Sequence, residues 1–328
     1  MEHTTFNHLV EELKVNHYIK DSRSVSAEEQ VLIFLAIVCH NNHMRETALK
    51  FRRGLYTIQR YFAQVLDSLV AMYPNYVKFD MDSCKQPPHV SQNPKYHTFK
   101  HALGALNGVF VPAAVPTDQR SPWRNRKGFL AQNVLAAVNF NFKFVYVLAG
   151  WEGSAHDTRV FNDATSKGLK TPLKSYFLAD AGCGLQQGLM TPFGGIRYPL
   201  KEQATARKKP SNTKELYNLR HATLHNIVEP IFGCIKIKFS ILQAPPEIEL
   251  KKQVWLLYAL CMLWNFIRSY ESIDNMFYDP AEDTLTYART RMDNDHFNVA
   301  IKDSAMKARR EQIAKKMWTQ YVNYNKKS

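Results

Sequence analysis

Three positions in this chain carry groups suited to phosphodiester chemistry: Asn107, Asp180 and Glu229. The phrase LGALNGVF, residues 103–110, predicts a strand ending in a turn with Asn107 at its tip. SYFLADAGC predicts a short buried strand closed by Asp180, and Glu229 falls in a long helical pattern. Acids at strand ends that face an acid on a packed helix can hold two Mg²⁺ or Mn²⁺ ions. Such a pair activates a water or a 3′-hydroxyl and stabilises the leaving oxygen of an in-line displacement. Hard divalent cations of this kind want carboxylate oxygens. Strand-end acids are common, so the layout alone is unspecific. An asparagine offers an amide oxygen but no negative charge, so the identity of position 107 decides the chemistry.

Other residues bear on the same question. In SAHDTRVF, Asp157 is the candidate for a substitute carboxylate; its structural alternative is a cap on a helix beginning at Thr158, worth about 1 kcal/mol. Arg124, Arg126 and Lys127 in WRNRKG suit phosphate contacts, the alternative being a solvated loop. Arg60, Lys236 and Lys238 are further candidates for DNA binding. His221 and His225 stand four apart on a helix, as metal ligands sometimes do, but without a third ligand packing is the better reading.

The elements that must position these groups fall into two styles. Residues from about 26 to 73 are helical throughout, with Ser26 and Glu29 as a capping box, Gly54 as a stop signal and Pro74 as the closing residue. Three helices with a short turn before the third match a helix-turn-helix layout, whose third helix carries Thr57, Gln59, Arg60 and Gln64. A Pro-, Ser- and Lys-rich loop follows, and beyond it the pattern changes to strands. HALGALNGVFVPAAV predicts strand, turn and strand, and QNVLAAVNFNFKFVYVLAG predicts a hairpin turning near Asn139–Asn141. Helical patterns return in TKELYNLRHATLHNIVEPIFGCIKIKF and LKKQVWLLYALCMLWNFIRSY. The expected division is a helical module over 1–79, a linker over 80–98, an α/β core over 99–270 and a basic helical tail over 271–328.

The 328 residues include 43 Lys+Arg against 29 Asp+Glu, a net charge of +14. A surplus of that size usually faces phosphate, in nucleic acid or anionic lipid. The most apolar windows, VLIFLAIVC and VWLLYALCMLWNFI, are too short to span a bilayer, and the N-terminus lacks a signal-peptide layout. Five scattered cysteines with no CxxC pair support neither a disulfide framework nor a cysteine zinc site, and fit a reducing compartment. The run KARREQIAKK suits a nuclear address or a solvated helix face.

The wording around these positions resembles the PIF/Harbinger transposase family of the DDE superfamily. The matching segments are GALNG, RNRKG, AGWEGSAHDTRVFNDA, FLADAGC, MTPF and LYNLRHATLHNIVEPIFGCIKIKF, with TIQRYF in front and REQIAKKMW behind. The resemblance implies an RNase H-like fold with an acid triad at positions 107, 180 and 229, acting with Mg²⁺ or Mn²⁺. It also implies DNA as substrate, a nuclear location and a separate Myb-like DNA-binding partner, and leaves the oligomeric state open. In this sequence an asparagine occupies the first catalytic position. GVFV replaces the family's Gly-Thr-His phrase, GCG follows Asp180 in place of Gly-Tyr/Phe-Pro, Asn141 stands where an acid is usual, and Pro230 follows Glu229. These departures favour a DNA- or chromatin-binding adaptor that no longer cuts, over an active endonuclease using Asp180, Glu229 and Asp157.

Overall fold

The computed structural model describes residues 1–196, 209–272 and 303–327. Four helices come first: α1 (His3–Val15), α2 (Ala27–His40), α3 (Met44–Phe51) and α4 (Leu55–Tyr76). The Ser26 hydroxyl accepts the Glu29 N–H at 3.2 Å, as the capping pattern predicts. The Glu29 carboxylate does not close the box; it takes a bidentate contact from Arg53 at 2.8 and 2.9 Å, tying the start of α2 to the turn before α4. Gly54 is the residue preceding α4, while α3 is stopped by Arg52 in a left-handed conformation. Pro74 does not end α4, which runs on to Tyr76. Helix α1 precedes the stretch read as helical from about 26 to 73; it is amphipathic, burying Leu9, Val10 and Leu13.

The sheet is built from β1 (Ala102–Pro112), β2 (Ala131–Asn139), β3 (Phe144–Glu152), β4 (Tyr176–Ala179) and β5 (Leu189–Met190), in the order β3-β2-β1-β4-β5. The β1–β2 and β2–β3 pairs are antiparallel, and β4 and β5 run parallel to β1. Helix α5 (Asp157–Ser166) links β3 to β4. After β5 come α6 (Thr213–His225), α7 (Val228–Lys238), α8 (Leu250–Tyr270) and α9 (Ser304–Lys327). This mixed α/β arrangement is consistent with an RNase H-like core. The 139–143 hairpin turn forms where the sequence predicts it, with Phe142 at φ 60.

One sequence expectation is corrected. Residues 102–112 form one unbroken strand, so Asn107 sits in mid-strand and not at a turn tip. The glycines on either side suggested a turn, but nine consecutive residue pairs with β2 hold the segment extended. The helical pattern over 213–239 is broken at Asn226–Ile227, so Glu229 is a helix-start residue, one of the two placements, kink or helix start, that Pro230 directly after it predicts.

The two sheet faces are covered by different helices. Ala105, Val111, Ala136, Val138 and Val147 pack into one continuous apolar cluster with α2, α4, α7 and α8. Leu106, Leu135, Ala137, Leu148, Phe177 and Ala179 pack on the other face with Val160, Phe161 and Ala164 of α5. The N-terminal helices therefore share a core with the sheet through α8, instead of standing apart from it. Asn265 of α8 stitches this junction, accepting the Phe144 N–H and donating to the Phe144 and Tyr76 carbonyls. Helix α9 docks through Met306, Ala314 and Met317 onto a cluster with Leu216 and Tyr217 of α6. Of the expected basic tail, residues 273–302 lie outside the described residues. Among the described residues no helix is long and apolar enough to cross a membrane.

Candidate functional site

The parallel register pairs Ala105 with Leu178 and Leu106 with Ala179. The next residues along each chain are Asn107 and Asp180, which leave the ladder side by side. Strand alternation puts Asn107 on the face of Ala105 and Val109, and Asp180 on the face of Tyr176 and Leu178. That is the face covered by α6, α7 and α8. Asn107 is 1% exposed, so no bulk water is at hand to make up for the charge it lacks. Asp180 is half-buried and spends one oxygen on the Ala181 N–H at 2.6 Å, capping the turn at 181–183.

Helix α6 closes over this pair with its two histidines. His225 donates from Nε2 to the Leu106 carbonyl at 3.1 Å, and His221 from Nε2 to the Met190 carbonyl at 2.9 Å. Their rings stack at 5.8 Å and 18°. Both nitrogens are engaged with backbone oxygen, which is a packing role and not a ligand role. Burial pushes His221 down to about 3, helped by the charge of His225 and opposed by the nearby Asp180 carboxylate.

Glu229 is the second residue of α7 and half-buried. Pro230 costs little here, because the first turn of a helix has no intrahelical partner for the missing N–H. The Glu229 carboxylate has no hydrogen bond or ion pair among the described residues.

Asp157 is placed differently. It is the first residue of α5, not its cap; the capping position is His156, whose side chain makes no cap bond. Its Oδ1 accepts from Asn133 Nδ2 at 3.2 Å, and Asn133 also donates to the Ala155 carbonyl at 3.1 Å. A Cβ on Gly108 would stand only 2.6 Å from that Oδ1, so Asp157 fills the space left by the missing side chain. Gly108 and Asn133 belong by alternation to the α5 face, opposite the one Asn107 occupies. A carboxylate in the first turn of a helix is also favoured by the helix dipole.

These placements test whether a divalent metal centre fits. Among the described residues, no group of three or more His, Cys, Asp or Glu side chains is arranged to hold a metal ion. Asn107 supplies a neutral amide where a bridging carboxylate is wanted, and Asp157 is on the other side of β1. The donor set does not fit a two-metal carboxylate centre.

The basic candidates separate into groups. Arg126 and Lys127 are exposed at the tip of a short hairpin, where Arg124 donates back to the Gly128 carbonyl. Lys236 donates to the Phe110 carbonyl at 3.3 Å, close enough for the Lys127 charge to act on it. Lys238 lies instead beside Cys39 and Cys234, and Arg60 is exposed on α4 over the Tyr61 ring at 5.6 Å. Asn133 and Gly108 escaped sequence reasoning, because neither residue type advertises a partner across the sheet. Trp151 donates to Asp163 at 2.9 Å and stacks under Arg159, which anchors α5 to β3.

Residues 106–265 match the family model described as DDE superfamily endonuclease. The matched stretch begins one residue before Asn107 and contains Asp180 and Glu229. Over these residues the chain is similar to the DDE superfamily endonucleases, a class that generally uses divalent metals and acts on DNA. Residues 1–71 match a domain of unknown function (DUF8040). No curated protein and no solved structure matches the chain.

Proposed function

We propose that this protein is a Harbinger-type derivative of a DDE transposase that binds DNA in the nucleus and does not cut it. The observation that carries this reading is the buried asparagine lateral to Asp180, in the position where the resemblance expects the first acid. An amide there cannot bridge two cations, and the carboxylate nearest in sequence to a rescue, Asp157, is held against Gly108 by Asn133. The net charge of +14 supports continued binding to phosphate. By resemblance, a Myb-like partner supplies site choice, and the α3–α4 pair either touches DNA through Arg60 or receives that partner.

The test is nicking of supercoiled plasmid in Mg²⁺ and in Mn²⁺. The unaltered protein should be silent, and Asn107→Asp should nick in a way that Asp180→Asn abolishes. Nicking by the unaltered protein that depends on Asp180 would overturn the proposal. Binding of the same plasmid, weakening steeply with salt, separates a disarmed DNA-binding protein from one without a nucleic-acid role.

A further inference from the structure

The segment 124–130 is a compact hairpin whose tip is held by one buried side chain. Arg124 and Leu130 form an antiparallel bridge, and the Asn125 N–H donates to the Phe129 carbonyl at 3.0 Å. Asn125 Oδ1 in turn accepts the N–H groups of Lys127 at 3.0 Å and Phe129 at 3.3 Å. Gly128, at φ +87, allows the tight turn. Leu130 accepts from the Ala113 N–H at 3.1 Å, which sews the hairpin to the chain just past β1. Lys236 reaches from α7 to the carbonyl of Phe110, which stands three residues beyond Asn107 on β1. The hairpin and α7 therefore flank the C-terminal end of β1, past Asn107.

Two features of this surface suit a nucleotide. Lys127 is exposed at the hairpin tip, and Lys236, half-buried on a separate element and bonded to the Phe110 carbonyl, lies within its field. A phosphate set between two cations gains from both. Phe129 is 40% exposed, held in place by its own backbone bonds, and has no ring contact among the described residues. Phosphates and sugars gain little from an aromatic face, whereas a base does. In an intact duplex the base faces are already stacked, so the ring profits only from a base that is unpaired.

We propose that this hairpin is a docking site for an unpaired nucleotide of DNA, Lys127 and Lys236 holding its phosphate and Phe129 stacking on its base. The proposal rests on the DNA-binding reading above and names the form of DNA preferred. The test is fluorescence anisotropy with one labelled oligonucleotide presented as a duplex, as a single strand and as a duplex with an unpaired tail. The unaltered protein should favour the tailed form over the duplex. Phe129→Ala should weaken tailed and single-stranded binding by about fivefold or more while leaving duplex binding unchanged. Phe129→Trp should restore it, and Lys127→Gln should weaken all three forms with a shallower salt dependence. Equal binding of all forms, or a Phe129→Ala variant that binds every form as the unaltered protein does, overturns the stacking site and leaves the DNA-binding reading standing. Failure to bind any form overturns both.

Discussion

Replacing Gly108 by alanine tests the placement of Asp157, the carboxylate that could stand in for the first acid. The new Cβ would lie 2.6 Å from Asp157 Oδ1, 3.2 Å from Asp157 Cγ and 3.2 Å from Asn133 Oδ1. The first distance is too short for any non-bonded carbon and oxygen, so the carboxylate must turn away and give up its bond from Asn133. Overpacking of this kind costs about 1–3 kcal/mol. Alanine recovers about 0.5–1 kcal/mol, because glycine loses more chain freedom on folding. The net expectation is a loss of up to about 2.5 kcal/mol, centred at about 1 kcal/mol. With Asp157→Ala as background the obstacle is gone, and Gly108→Ala becomes neutral or stabilising. The assay is a double-mutant cycle on urea midpoints, read where the slope of the transition is unchanged across the four proteins. Additive effects would refute the reasoning. They would mean that Asp157 does not face Gly108 and is at liberty to serve the face of Asn107, which would restore the cutting reading.

His221 gives a pH signature. Its folded pKa of about 3 lies below the ordinary 6.5, so the folded state refuses a proton that the unfolded state accepts. That stability is whole above pH 6.5 and falls as the pH drops toward 3, by about 2 kcal/mol at pH 5; His221→Gln should flatten unfolding midpoints across this window. Asn265→Leu should strand the Phe144 N–H and the Phe144 and Tyr76 carbonyls, at a cost of about 3 kcal/mol or more, seen as a lowered urea midpoint. Arg53→Ala should cost only about 0.5–1 kcal/mol, since its pairing with Glu29 is partly solvated, and 1 M salt should shrink the difference.

Much of the fold is legible in the sequence because its signals are local. Ser26 caps α2 through a bond three residues long, and the hairpin at 139–143 is set by Asn139, whose Oδ1 accepts from both Asn141 and Lys143. Alternating and continuous apolar runs likewise mark β3 and β4. What escapes is settled by distant partners. Arg53 diverts Glu29 from its capping role, and the pairing with β2 overrides the glycines that suggest a turn beside Asn107. The anchoring of His225 is another case, since its partner is a carbonyl 119 residues earlier in the chain.

The candidate site turns on one such distant effect. Strict alternation along ALGALNG from Leu103 would set Leu103, Ala105 and Asn107 on a single face. Leu103 packs on the α5 side, so Asn107 would then stand with Asp157, and a carboxylate would be at hand to replace the missing one. The structure breaks that alternation at Gly104. Its φ is +155, its pairing with β4 is shifted, and a Cβ there would lie 1.9 Å from the Val138 carbonyl. Leu103 and Leu106 consequently share a face, and Asn107 turns to the opposite one beside Asp180. A slip of one residue at a glycine thus sets Asn107 and the Asp157 contact at Gly108 on opposite faces of β1. On the non-cutting proposal, cutting is therefore expected to be gained by Asn107→Asp and not by a change near Asp157.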